Sequence, residues 1–324
     1  MAHAIRIHGN GGSEVLKWEA VEVGAPGPGE VRLRQTAVGL NYIDVYHRTG
    51  YYKLASLPAI IGMEGAGTVE AIGPGVTEVQ VGDRVAYAGV LGAYADERLI
   101  PADRLVKLPD SIDDVTAAAM MLQGMTARYL LRETYRVTPR TVLLFHAAAG
   151  GVGLIVCQWA KAIGATMIGT VGSDEKAQLA LAAGCTYVIN YRTEDYVARV
   201  RELTGGAGCD VVYDGVGKDT FPSSLDCLKP KGLWVSFGSA SGPVPPFDMQ
   251  LLSAKGSLYA TRPTMMTYTA RREDLLANAA ELFDMVASGA VEIAPSRTYP
   301  LRDVAQAHRD LEARKTAGSI VLIP

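Results

Sequence analysis

The stretch Phe145–His146–Ala147–Ala148–Ala149–Gly150–Gly151–Val152–Gly153 decides how this chain is read. It lies where an apolar run, Thr141–His146, gives way to an amphipathic one, Val152–Ile163. A strand that turns through glycines into a helix aims backbone N–H groups and the positive end of the helix dipole at one point. That arrangement holds a pyrophosphate. Glycine lets the main chain approach the phosphate closely and lets the helix pack on the strand. The dinucleotide fingerprint reads Ala148-x-Gly150-x-x-Gly153, with Ala in place of its first Gly. Alone, a degenerate fingerprint is weak, and a tight turn without a ligand reads the same way. The strand before it and the strand–helix units after it make it specific. Ala149, Gly150, Gly151, Val152 and Gly153 are the candidate phosphate-binding residues.

Downstream, apolar runs alternate with helical patterns. Strands are predicted at Thr166–Val171, Thr186–Ile189, Cys209–Asp214, Leu233–Phe237 and Ser257–Ala260. Helices are predicted at Asp174–Ala183, Glu194–Leu203 and Thr220–Leu228. Such units build a parallel sheet covered on both faces, and right-handed crossovers favour a doubly wound Rossmann arrangement. Cofactors lie outside the carboxyl ends of such strands, which makes Gly217, Phe237 and Ser239 candidates for the nicotinamide half. Each also reads as turn chemistry.

The second strand distinguishes between dinucleotides. An NAD site places Asp or Glu at its end to hold the ribose 2′-OH. Here the strand runs into Gly169–Thr170–Val171–Gly172–Ser173, with no acid before Asp174. A small Gly–Ser turn, with Lys176 one helical turn on and Tyr191 after the third strand, offers room, donors and charge for a 2′-phosphate. Lys176 also reads as an ordinary solvated lysine; the missing acid is the sharper sign, and it points to NADPH.

Upstream, residues to about 120 show short alternating runs cut by Gly and Pro. Val31–Arg34, Gly67–Ile72 and Asp83–Tyr87 are examples, and a compact, mainly β domain is predicted. After Arg271 come two helical patterns and a last strand, Ser319–Ile323, expected to rejoin that domain. The 324 residues are 48% hydrophobic and 20% charged, an ordinary globular balance that suggests two domains. A net charge of −3 without a Lys/Arg run gives no reason to expect nucleic-acid binding. Met1–Asn10 lacks a signal's apolar core, and no apolar stretch approaches about 20 residues. Cytoplasmic residence without membrane insertion is the expectation. Cys157, Cys185, Cys209 and Cys227 form no Cys-x-x-Cys pair and have no His at ligand spacing, so they read as small buried hydrophobes.

Taken together, these motifs resemble the medium-chain dehydrogenase/reductase superfamily. Asn41–Asp44, Leu91–Tyr94, Phe145–Gly153, Ile189–Arg192, Gly256–Tyr259 and the C-terminal Leu-Ile-Pro are similar to bacterial, zeta-crystallin-like NADPH:quinone oxidoreductases. The resemblance spans the whole chain. It implies an α/β fold: a Rossmann NADPH-binding domain, 125–264, and a GroES-like, mainly β catalytic domain, 1–124 and 265–324. It implies that Asn41, Tyr46, Tyr52, Gln123 and Thr126 approach the nicotinamide end. Gly172, Ser173, Lys176, Tyr191 and Arg314 surround the 2′-phosphate on the same grounds. A homodimer through the edge of the Rossmann sheet, near Ser257–Ala260, is a further expectation.

The chain departs from the superfamily's zinc alcohol dehydrogenases. Asn41 stands at the place of their catalytic Cys, and Gly62–Met63–Glu64 at that of their Gly-His-Glu motif. Residues 88–98, where the structural-zinc lobe would lie, contain no Cys. Catalytic zinc takes three protein ligands, which His47 and Glu64 do not complete, so no metal is expected. His146 reads as a satisfied structural residue. A quinone needs less electrophilic help than a carbonyl, because its reduction yields an aromatic hydroquinone. The expected activity is NADPH-dependent quinone reduction, by hydride or single-electron transfer, with the quinone near Tyr46 and Tyr52. Those tyrosines either donate a hydrogen bond or form an aromatic wall; Asp44 either orients its neighbours or forms a structural ion pair. One rival is an enoyl or enone reductase with Tyr52 as proton donor. Another is a non-catalytic cofactor-binding protein, crystallin-like or RNA-binding.

Overall fold

The structure, a computed structural model, describes residues 1–324. Two compact units are present: Met1–Met125 with Thr269–Ala287 and Ile293–Pro324, and Thr126–Tyr268 with Ser288–Glu292. Met265–Tyr268 and Ser288–Glu292, expected among the β-rich residues, thus group with the second unit.

The first unit is built around the strand Glu30–Leu40. Its alternation buries Val31, Leu33 and Ala37, and it pairs antiparallel with Glu64–Ile72, with Glu97–Pro101 and with Ile320–Ile323. Val321 lies opposite Gly39, so the C-terminal strand does rejoin this sheet. Arg297–Pro300 runs parallel beside it, a strand the sequence pattern did not reveal. Ala2–Ile7 centres a second, three-stranded sheet, and Ile5, Ile7, Leu33, Val85, Tyr94 and Ile100 share one core.

Two helices interrupt this β-rich stretch against expectation, Tyr42–Thr49 and Asp114–Tyr129. The longer one buries its run from Ala117 to Met121 without a break. A helix apolar on all sides shows no period of 3.6, and its pattern reads as featureless. The shorter has only eight residues; Asp44 begins it by accepting the N–H of Asn41 at 2.9 Å.

In the second unit six strands form one parallel sheet. Their spatial order is Tyr187–Asn190, Thr166–Val171, Val142–His146, Cys209–Asp214, Leu228–Ser236 and Tyr259–Thr261. The order reverses at Val142–His146, the switch point at which doubly wound sheets bind their ligands. One helix is shorter than predicted: Thr220–Leu228 contains only the turn Ser223–Asp226. The strand that follows already starts at Leu228 and shifts register against Cys209–Val211. Asp214 gathers the residues of this loop, as described below. No helix of the structure is long and apolar enough to cross a membrane.

Candidate active site

At the switch point, the helix Gly151–Ile163 starts behind Gly150 with no side chain capping it. Gly150 N donates to Ala147 O at 2.9 Å and Leu154 N to Gly150 O at 2.9 Å. The N–H groups of Gly151, Val152 and Gly153 are left as the orphan donors of the helix start. Ala147 takes a left-handed φ of 58° to make the turn, while Ala149 is buried beneath it. A Cβ on Gly153 would lie 2.5 Å from Ala148 O, so this position admits only glycine. Open donors, a dipole end and a glycine-only close approach fit a pyrophosphate.

Around the end of the second strand the structure brings Gly172, Ser173, Lys176 and Tyr191 together. Ser173 caps the next helix, accepting the Lys176 N–H at 3.3 Å. A Cβ on Gly172 would lie 2.6 Å from the Tyr191 hydroxyl, which therefore stands over the glycine. The nearest acid, Asp174, accepts from Asn190 Nδ2 at 2.8 Å instead of standing at the strand end. This geometry suits a 2′-phosphate.

Beyond the fourth strand, the buried Asp214 carboxylate accepts from the N–H groups of Val216 (2.9 Å) and Gly217 (3.0 Å). It accepts also from the hydroxyls of Thr220 and Ser224 and from Trp234 Nε1. Gly217 holds a φ of 93°, Phe237 packs 5.5 Å from Phe145, and the buried Ser239 accepts from Arg262 Nη2 at 3.2 Å. His146 is satisfied at both ring nitrogens, by Thr170 Oγ1 at 2.9 Å and Ser224 Oγ at 3.0 Å. Burial lowers its pKa and keeps it neutral. All four cysteines are buried free thiols.

In the β-rich unit, Asn41 and Gln123 meet in a chain of buried polar groups. Asn41 Nδ2 donates to Glu64 Oε2 at 2.6 Å, and Gln123 Nε2 donates to Asn41 Oδ1 at 3.0 Å. Ser319 Oγ donates to Gln123 Oε1 at 2.6 Å, and Leu122 N to Glu64 Oε1 at 2.7 Å. Glu64 and Ser319 complete this cluster from 23 and 196 positions away, and no local sequence pattern joins them to it. One sign existed: Glu64 is the only charged residue between Lys53 and Glu70, in a run otherwise suited to burial. Thr126, buried, lies one turn beyond Gln123 on the same helix.

Tyr46 centres an aromatic cluster, edge-on to Tyr42 (5.5 Å), Tyr51 (5.3 Å) and Tyr52 (5.2 Å). Tyr46 is buried and Tyr52 only half-buried. His47 packs 5.9 Å from Tyr52, its Nδ1 buried without a partner and its pKa lowered by burial. Behind them runs a second chain. Tyr94 Oη donates to Asp44 Oδ2 (2.9 Å) and lies 3.0 Å from His308 Nε2; Arg48 Nη1 lies 3.0 Å from His308 Nδ1. Arg48 closes the chain with a two-pronged ion pair to Glu312. Asp44 thus orients its neighbours and makes no ion pair itself. Arg314, exposed with φ 58°, acts on Tyr42, lowering a pKa that burial and Glu312 raise more. No three His, Cys, Asp or Glu side chains are grouped so as to hold a metal ion.

Residues 27–110 match the family described as alcohol dehydrogenase GroES-like domain, and residues 151–282 that described as zinc-binding dehydrogenase. A quinone oxidoreductase of Pseudomonas aeruginosa is 52% identical over 100% of both chains. A 2-haloacrylate reductase of Burkholderia sp is 47% identical over 100% of this chain and 99% of its own. The crystal structure of Escherichia coli quinone oxidoreductase complexed with NADPH superposes with a TM-score of 0.97 at 49% identity, covering 99% of this chain and 100% of that one. With both of its units matched and its relatives aligned from end to end, the chain belongs to the medium-chain dehydrogenase/reductase superfamily, among its quinone oxidoreductases.

Proposed function

We propose that this protein is an NADPH-dependent quinone oxidoreductase of the zinc-independent kind. The observation that carries the reading is the end-to-end match, at 52% identity, to a quinone oxidoreductase. The likeness to the NADPH-complexed Escherichia coli structure and the uncapped turn at Gly150–Gly153 support the cofactor. Under this reading the first-turn N–H groups of Gly151–Gly153 hold the pyrophosphate, with Ala149 beneath them. Gly172, Ser173, Lys176, Tyr191 and Arg314 take the 2′-phosphate; Gly217, Phe237, Ser239, Thr126, Gln123 and Asn41 serve the nicotinamide half.

Bound NADPH supplies the reducing electrons, as a hydride or one at a time. The protein's own work is to orient the acceptor, exclude water and deliver one proton, since a quinone becomes a hydroquinone by gaining two electrons and two protons, the other of which leaves the nicotinamide with the electrons. Tyr46, buried, forms the aromatic wall. Tyr52, half-buried, presents its hydroxyl to the acceptor's oxygen.

A second reading, enone reduction with Tyr52 protonating the α-carbon, is favoured by the match to a 2-haloacrylate reductase. Purified protein would be offered NADPH with 9,10-phenanthrenequinone, a benzoquinone and a small enone, with NADH and a chelator as controls. The expected result is quinone turnover, selective for NADPH and insensitive to the chelator. Turnover on the enone alone would give the second reading the case.

The proposal includes a cytoplasmic homodimer. Tyr259–Thr261 is an edge strand paired on one side only, and Tyr259 is 64% exposed. Joining two such edges satisfies both. Sedimentation velocity showing a monomer at micromolar concentration would remove this part.

A further inference from the structure

Glu64 is wholly buried, and each of its oxygens faces an N–H: Leu122 N at 2.7 Å on one side, Asn41 Nδ2 at 2.6 Å on the other. A proton on either oxygen would point at a donor. The Leu122 amide is fixed in its helix, but a carboxamide turns about its last torsion, where two opposite orientations are nearly equivalent. If Asn41 turns, its oxygen accepts a proton held on Glu64, and its Nδ2 then points at Gln123. Gln123 has to turn in its place, presenting Oε1 to Asn41 and Nε2 to Ser319. Ser319 Oγ both donates and accepts, so it ends the chain in either state. The four groups therefore have two self-consistent hydrogen-bond directions, and no mixed state satisfies every member.

We propose that Glu64 is a positioning residue whose proton selects which way round the Asn41 and Gln123 carboxamides stand. The proposal rests on the reading that these two residues serve the nicotinamide half. Reversing a carboxamide exchanges a donor for an acceptor, and a site built to pair with one is left unpaired against the other. Cofactor affinity in this chain thus depends on a proton that is not consumed in the reaction.

The surroundings keep that proton within reach of ordinary pH. Burial pushes Glu64 up to about 8, and the charge acting on it, that of Asp44, has the same sign. Asp44, itself raised by burial to about 7, is tied to the Asn41 N–H and the Tyr94 hydroxyl. Tyr87 and Tyr94 both feel the charge of Glu64 and are driven up by burial, so they stay neutral. The cation beside Tyr87, Arg98, donates to the Tyr87 hydroxyl at 3.1 Å and to Leu91 O at 2.5 Å.

Glu64→Gln separates this role from a merely structural one. Its Oε1 has to accept from Leu122, so its Nε2 faces Asn41 and locks the reversed direction at every pH. NADPH dissociation constants would be measured by cofactor fluorescence from about pH 6 to about pH 9.5. The wild type should pass through a transition of about threefold or more, no steeper than the roughly tenfold per pH unit that one linked proton allows. E64Q should lose the transition near pH 8 and keep the value of the wild type's acid limb through it, leaving at most a step near pH 7 that belongs to Asp44. A transition near pH 8 retained in E64Q, an alkaline value matching the wild type's alkaline limb, or a wild type with no transition near pH 8 would overturn the proposal.

A second measurement needs no variant and no cofactor. In wild-type protein labelled with ¹⁵N at Asn and Gln, the side-chain NH₂ signals of Asn41 and Gln123 should shift together, with one midpoint. Either signal standing still while Glu64 titrates would overturn the proposal. Failure of the wild type to bind NADPH would instead count against the functional reading, and the NH₂ signals would still decide the role of Glu64.

Discussion

A Cβ at Gly153 would lie 2.5 Å from Ala148 O and 2.6 Å from Ala147 O, both main-chain atoms of the turn that faces the open helix start. Gly153→Ala has to push that turn outward, away from the geometry that aims three N–H groups at one point. We expect NADPH affinity to fall about tenfold or more, about 1.4 kcal/mol, with the fold retained. Unchanged affinity in a fluorescence titration would mean that the phosphates lie elsewhere. Tyr52 offers a second residue-scale test. If its hydroxyl only orients a quinone, Tyr52→Phe should cost quinone turnover less than about tenfold; as the proton donor of an enone reductase it should cost about a hundredfold or more. Residues of these two kinds differed in how plainly the sequence announced them. Gly153 stands in a contiguous motif whose spacing carries its reason. Asn41 and Gln123 were reached only by resemblance, because their partners Glu64 and Ser319 lie 23 and 196 positions away, and no local pattern records such a meeting.

The elements of the parallel sheet were legible because each strand and helix repeats its own period over a clear length, as in Thr166–Val171 and Cys209–Asp214, both found where the pattern put them. The misread helix at Thr220–Leu228 failed for a tertiary reason. Asp214 lies at the end of its strand and draws in donors from the whole loop: Val216, Gly217, Thr220, Ser224 and, from the next strand, Trp234. A buried carboxylate that needs so many donors fixes the loop before this segment through the Val216 and Gly217 N–H groups and ties Thr220 and Ser224 down by their hydroxyls, which leaves only the turn Ser223–Asp226 helical. Asp214→Asn keeps the shape but places an NH₂ group among donors. At least one of them, Trp234 Nε1 if the amide faces that way, then loses its acceptor inside the protein. We predict a loss of about 2–4 kcal/mol in unfolding free energy, seen as a lower urea midpoint, since hydrogen bonds to a buried charge are among the costliest to leave unmade. A variant within about 0.5 kcal/mol of the wild type would show that the loop is held by packing instead.

Over the whole molecule, the return of the C-terminal strand to the N-terminal sheet was foreseeable, because a lone strand cannot satisfy its own edges. The ion-pair and hydrogen-bond chain Glu312–Arg48–His308–Tyr94–Asp44, which ties that C-terminal segment to the helix after Asn41, was not. It leaves a signature in the pH dependence of stability. Burial and the neighbouring Arg48 guanidinium push His308 down to about 3, and burial also lowers His47 and His146, against an ordinary value near 6.5. Burial pushes Asp44 up to about 7 and Glu64 up to about 8, from 3.8 and 4.5. Above about pH 7.5 these histidines are neutral in both native and unfolded chains and contribute no slope, and nearer about 6.5 the unfolded chain's remaining imidazolium only lessens the decline. The two acids are ionised when unfolded but keep their protons in the native state, so the native state binds more protons and stability falls as pH rises. Their stabilising share is complete below their unfolded values and is lost as pH passes through about 7 and about 8. Below about pH 6.5 the three histidines act in the opposite sense, because the unfolded chain gains protons that the native chain refuses. We therefore expect guanidinium midpoints to decline between about pH 6.5 and pH 8.5, at up to about 1.4 kcal/mol per pH unit for each retained proton. Glu64→Gln should remove its own part of that slope, leaving a shallower decline centred on Asp44. A midpoint that is level or rising across this window in the wild type would mean that water reaches these carboxyls and that the two buried chains are looser than the structure draws them.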